Sequence, residues 1–308
     1  MPKVFGGLWF ESLVAQDEHF ELQCELLAEG LIQGIQMRVA HPRFTPGITT
    51  EMLLDILKRW PGELFIHFGA ENVGVDFGQT LDEKDTLQRH GYAKTDWERW
   101  NEETIAWGRK VAWVAGVGGV VHPGYGFGVE DGQALANIVG ALYKIKPLGV
   151  IAFVALENVP PAISKYQYEQ VHGKTNWPYD WVWGFGGLPE GMKEIILALG
   201  PRFQCLIDFS HIWVTVNQAR VFEISKLAAW GDLEKIVGAY LELSHVPVCH
   251  FSGLTSHLVD VHEPLVGSTP PACLRDALNT HEVVCLEIPF NAQTARQEIA
   301  WFRDRYLR

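Results

Sequence analysis

The sequence predicts an α/β protein built as a single (β/α)8 barrel, a TIM barrel, over residues 1–308, with long loops after strands three and five. Three observations predict it. Eight short apolar runs alternate with segments of helical pattern. Most of these runs are continuous rather than polar at every second position, as strands buried on both faces are. The length, 308 residues with 47% hydrophobic content, suits eight βα units and a large core. A doubly wound open sheet is the alternative. It gathers ligands in one crevice rather than around a ring of strand ends.

The elements are expected in this order. Strand one covers 4–10 and is followed by the helical segment DEHFELQCELLAEG, which stops on Gly30. Strand two covers 34–39; the helix TTEMLLDILKRWPG then opens on a threonine cap and ends before Pro61. Strand three covers 63–68, with a helix at 95–115; strand four covers 118–122, with a helix at 131–146. Strand five covers 149–157, with a helix at 189–199; strand six covers 203–208, with a helix at 217–243. Strand seven covers 246–251, with a helix at 271–279, and strand eight covers 283–288, with a helix at 294–307. No linker, internal repeat or low-complexity stretch interrupts the series.

Two connections exceed ordinary loops. Residues 70–94 follow strand three and residues 158–188 follow strand five. Both are expected to overhang the strand ends they leave, as lids or binding loops do. The second is dense in Trp, Tyr, Pro and Gly. Within its insertion 165–187, Trp177, Trp181 and Trp183 equally fit packing of a lid or an oligomer contact.

The formal net charge of −12 offers no basic footprint for nucleic acid, although bound cations would add positive charge locally. The cysteines Cys24, Cys205, Cys249, Cys273 and Cys285 form no CxxC and read as buried free thiols of a reducing compartment. The start MPKVFGGLWFES lacks a signal-peptide pattern, and no apolar run reaches about 18 residues. The expectation is a soluble cytoplasmic protein with no membrane partner.

Strands three to eight each run out at a histidine or a carboxylate: His67, His122, Glu157, Asp208 with His211, His250, and Glu287. Asp260 and His262 follow the strand of His250 with strand-type spacing, so both point to one side. One such residue alone reads as a hydrogen-bonded core group. Six strand ends together read as one polynuclear metal site at a barrel mouth. Five imidazoles and four carboxylates exceed what one ion takes, since zinc is commonly four-coordinate, so two or three metals are implied. The mixed donor set suits zinc, iron or manganese.

With these residues the chain resembles the endonuclease IV family of apurinic/apyrimidinic endonucleases, within the xylose-isomerase-like barrel superfamily. The resemblance runs from strand three to strand eight. It includes HPG at 122–124, EN at 157–158, and the Asp-x-x-His and Asp-x-His pairs. By that resemblance His67, His122 and Glu157 hold one zinc. Glu157 bridges to a second held with Asp208, His250 and Glu287, and His211, Asp260 and His262 hold a third. It implies hydrolysis of the phosphodiester 5′ to abasic sites in DNA, with three cations holding the phosphate, activating water and stabilising the leaving oxygen.

The sequence departs from the family at the substrate side. GGLWFES stands where the family has a small-residue glycine turn. The loop FGAENVGVDF carries Glu71 and Asp76 and lacks the duplex-inserting pair, and Arg38 and Arg43 match a DNA-contacting role only loosely. Two alternatives follow. Glu157, Asp208, His250 and Glu287 also resemble the single-metal set of sugar isomerases and epimerases, where Glu157 and Glu287 would be the catalytic acid and base. The stretch HFSGL…VDVHEPLV is similar to the multinuclear non-haem iron oxygenases that modify a peptide, as in methanobactin biosynthesis. The partner is thus DNA with abasic sites, or else a small molecule or a peptide.

Overall fold

The computed structural model describes residues 1–9, 17–39, 55, 58–68, 119–123, 131–145, 154–166, 181–222, 225–254, 258, 262–267, 269, 271–288 and 292–307. Eight parallel strands close a barrel: β1 (Lys3–Trp9), β2 (Gly34–Val39), β3 (Glu63–Phe68), β4 (Gly119–Val121), β5 (Val154–Glu157), β8 (Phe203–Asp208), β9 (Val248–Phe251) and β10 (Val283–Leu286). The ring closes where β10 pairs with β1, Lys3 opposite Val283 and Gly6 opposite Leu286. The expected barrel is therefore the observed one. Its strands are shorter at β4 and β10 than the apolar runs suggested, and residues 149–153 lie outside the described set.

Side chains alternate across the wall, as strand geometry requires. Val4, Val154, Leu156, Cys205, Ile207, Cys249, Phe251, Val284 and Leu286 belong to the core between the barrel and its helices. Their neighbours Phe5, Val120, Ala155, Leu206, Val248, Val283 and Cys285 form a second apolar cluster inside the ring. Counting two residues onward from that inner cluster gives His122, Glu157, Asp208, His250 and Glu287. An apolar plug thus fills the barrel, and the polar layer sits directly on it at the C-terminal ends of the strands. Gly34 leaves space for the Phe5 ring, which a Cβ there would meet at 2.6 Å.

The helices set out among the described residues are α1 (Asp17–Ala28), α2 (Asp131–Ile145), α3 (Pro189–Leu199), α4 (Phe209–Val221), α5 (Ser225–Ala228), α6 (Leu233–Leu243), α7 (Ala272–Leu278) and α8 (Ala295–Tyr306). The single helix expected at 217–243 is instead three. Helix α4 starts at the strand end itself, because the Asp208 side chain caps it by accepting from the N–H groups of Ser210 and His211. Helix α6 starts afresh on Asp232, whose carboxylate accepts from the Lys235 N–H.

The connection after β5 also contains structure the apolar pattern did not suggest. β6 (Ala162–Ser164) and β7 (Trp181–Trp183) pair antiparallel, followed by a 3₁₀ turn at Phe185–Gly187. Residues 70–94 and 167–180, including Trp177, lie outside the described residues, as do the expected helix at 95–115 and all of 49–59 but Asp55, Lys58 and Arg59. All five cysteines are unpaired; Cys205, Cys249 and Cys285 are buried, whereas Cys24 and Cys273 are half-buried. Among the described residues no helix is long and apolar enough to cross a membrane.

Candidate metal centre

Glu157 is the centre of the polar layer. Its side chain is fully buried, and histidines from three other strand ends converge on it. His67 Nε2 lies 3.0 Å and His122 Nε2 3.1 Å from the same oxygen, Oε2. His250 Nδ1 lies 3.0 Å from Oε1, and 3.3 Å from Glu287 Oε1. Two groups result in which one donor atom per residue lies within 4.8 Å of every other: His67, His122 and Glu157; and Glu157, Asp208, His250 and Glu287. Glu157 belongs to both.

The remaining expected ligands sit beside these groups. His211, in the first turn of α4, has Nδ1 at 3.6 Å from Glu157 Oε1 and 3.8 Å from Asp208 Oδ2. His262 Nδ1 is 3.8 Å from Glu287 Oε2. Asp260 lies outside the described residues, so the expected trio of His211, Asp260 and His262 is described only in part. The side chains of His67, Glu157, Asp208, His211 and His250 are 0–3% exposed, against 14% for His122 and Glu287 and 34% for His262. The open side of the cluster therefore runs along His122, Glu287 and His262.

Groups outside the expected ligand set hold this layer in place. Asn158 accepts from the Asp208 N–H at 2.6 Å and donates to the Asp208 carbonyl at 3.1 Å, which locks β5 to β8 at the site. Its carbonyl lies 2.6 Å from His211 Nδ1, so that nitrogen carries the proton and Nε2 is left as the donor atom. The Glu287 carbonyl, 2.7 Å from His262 Nδ1, fixes that ring in the same way. Gln36 donates from Nε2 to Glu287 Oε1 at 2.7 Å. Ser210 Oγ accepts from the Ser252 N–H and donates to the Ser252 carbonyl, tying the start of α4 to the end of β9.

Burial opposes ionisation throughout, and the imidazoles answer it unevenly. Burial disfavours the charged form of Glu157, but His250 and His122 outweigh that and hold the carboxyl well below the usual range. Burial opposes the charged form of the mostly enclosed Glu287 too; His250, then His262 and His67, bring it below its ordinary value against the neighbouring Glu157 charge. Burial, aided by Glu157 and Glu287, pushes Asp208 up to about 6 despite His211. Burial alone would lower His250, but Glu157 and Glu287 raise it instead. Among the described residues, Glu157 Oε1 and both ring nitrogens of His250 are buried without a well-aligned hydrogen-bond partner. Carboxylates and imidazoles left in this state are a costly arrangement unless a cation completes it. The buried cluster can thus hold metal ions, and its donors fit zinc, manganese or iron.

Comparison with known proteins places the architecture. The chain matches a D-tagatose 3-epimerase-like protein at 15% identity, over 97% of this chain and 96% of that one, with a TM-score of 0.60. It matches a family 2 AP endonuclease from Brucella melitensis at 13% identity, over 99% of each, with a TM-score of 0.52. It also matches a xylose isomerase domain protein from Planctomyces limnophilus at 10% identity, over 98% of each, with a TM-score of 0.52. These likenesses show the fold, a (β/α)8 barrel shared along nearly the whole chain. No protein-family model matches the chain, and no curated protein matches it in sequence.

Proposed function

We propose that this chain is a multinuclear metalloenzyme, and that its centre hydrolyses a phosphodiester, with the bond 5′ to an abasic site in DNA as the substrate. One observation carries the reading: the same buried carboxylate, Glu157, serves two donor groups. A single-metal isomerase or epimerase needs only Glu157, Asp208, His250 and Glu287, and it leaves the convergence of His67 and His122 on Glu157 Oε2 without a purpose. Zinc in three sites is the proposed cofactor, with His211, Asp260 and His262 completing the third. When bound, the cations would supply Lewis-acid polarisation of phosphoryl oxygens and stabilisation of the leaving oxygen.

The chain's own groups prepare for this. Glu157 and Glu287 keep their negative charge, so they receive cations without first losing a proton. Asn158 and the Glu287 carbonyl fix the protons of His211 and His262 on Nδ1. The partly exposed edge along His122, Glu287 and His262 is where a substrate meets the centre.

A second reading, oxidation of a peptide by an iron-loaded centre, is favoured by the formal net charge of −12, which opposes a polyanionic substrate. The test is elemental analysis of the purified protein together with a labelled duplex containing one abasic site, at low salt. Zinc near three per chain, with nicking by the wild type and none by a His67→Ala/Glu157→Ala double variant, is the expected result. Nicking no greater than the double variant's overturns the phosphodiesterase reading. In that event iron as the resident metal favours the peptide oxygenase, and one metal per chain an epimerase.

A further inference from the structure

The geometry points to Gln36 as a positioning residue of the metal centre, one that sets the orientation of Glu287. Strands β1 and β2 supply none of the proposed ligands, yet Gln36 reaches into the polar layer from β2, only 2% exposed. Its Nε2 donates to Glu287 Oε1 at 2.7 Å, and His250 Nδ1 lies 3.3 Å from the same oxygen. Two groups thus hold one Glu287 oxygen in place. The amide presents its N–H₂ to the carboxylate and turns its own carbonyl oxygen, Oε1, away from it.

The far end of the amide shows why a glutamine stands here. Gln36 Oε1 is buried and, among the described residues, has no hydrogen-bond partner. A residue kept for packing alone would be apolar, because an unsatisfied buried carbonyl destabilises the fold. Gln36 therefore retains an unsatisfied atom for the sake of the hydrogen bond that its nitrogen gives to Glu287. Outer groups of this kind fix the angle at which a ligand presents its lone pair, and their loss typically weakens metal affinity by about 10–100-fold.

The inference rests on the metal-centre reading above and is tested apart from activity. Metal-free wild type, Gln36→Met, Glu287→Ala and the Gln36→Met/Glu287→Ala double variant are titrated with Co²⁺, following the visible bands and the binding isotherm. Circular dichroism checks that each remains folded. Methionine conserves volume and removes the donor, so a packing role predicts wild-type affinity. Positioning predicts an affinity for the Glu287 group about 10–100-fold weaker in Gln36→Met, with altered bands. It also predicts no further loss when the change is made in Glu287→Ala. Wild-type affinity and spectrum in Gln36→Met, or equal losses with and without Glu287, overturn the inference. Should Gln36→Met fail to fold, Gln36→Asn, which keeps the amide but shortens its reach, is measured against the same criteria. Failure of the wild type to bind Co²⁺ overturns the metal-centre reading itself.

Discussion

At the scale of the residue, position in the layer decides what each acid does. Glu157 is common to both donor groups, so Glu157→Ala is expected to lose more than one ion, whereas His262→Ala empties at most one site. Elemental analysis after dialysis reads the difference, and equal metal content in wild type and Glu157→Ala would contradict the assignment. Asp208 gives a test with a sign. In the metal-free protein burial raises its carboxyl to about 6, above an unfolded value of about 3.9. Folding therefore favours the protonated form, whose benefit is full below about pH 4 and is lost as pH rises through 6. An asparagine at this position would keep the neutral shape and the capping oxygen without that loss. In chelator, Asp208→Asn should be more stable than wild type at pH 8 by up to about 3 kcal/mol, roughly two pKa units at about 1.4 kcal/mol each. It should gain nothing at pH 4. Melting curves at the two pH values test this; a pH-independent difference would mean the carboxyl is not the cause. Most of the cluster was legible because packing alone seldom puts a histidine or carboxylate at the end of an apolar run. Gln36 was not, since an amide on a strand carries no meaning until register brings it against a carboxylate; Asn158 stood in the EN pair at 157–158, but its role in joining β5 to β8 was not readable there.

At the scale of the element, the apolar runs revealed the barrel strands because a strand covered on both faces has no polar alternation to hide it. The starts of α4 and α6 were missed for a local reason. Asp208 and Asp232 each act as helix caps through their side chains, and in Asp208 that role coincides with a strand end and a proposed ligand, so the sequence showed only the ligand. β6 and β7 escaped notice because three residues each are too few for a periodic signal. The seam between β1 and β10 offers a sharper test of packing. A Cβ at Gly7 would lie 2.7 Å from the Leu286 carbonyl oxygen, a backbone atom that cannot swing aside. Gly7→Ala should therefore destabilise by about 1–3 kcal/mol. Gly238, inside α6, has open space where its Cβ would go, so Gly238→Ala should stabilise by about 0.5–1 kcal/mol. Denaturant titrations of the pair decide it, and the same sign for both would refute the seam's tightness.

At the scale of the whole molecule, the two candidate donor groups draw on β3, β4, β5, β8, β9 and β10, or the residue just after them, so ions held there would tie most of the ring together. Zinc at a hundredfold excess over its Kd should stabilise the protein by about 2.7 kcal/mol, seen as a Tm rise that chelator reverses; an unchanged Tm would mean the ions do not bind the folded state preferentially. The order in which those donors are made has a consequence for biosynthesis. During synthesis a chain emerges from its N-terminus, and here β1 is left waiting for β10, some 280 residues behind it. His67, His122 and Glu157 leave the ribosome long before Glu287, and contacts that span most of a chain form late. A nascent chain therefore offers scattered donors without a closed ring, so a centre of this kind would be loaded only once β10 has joined the ring.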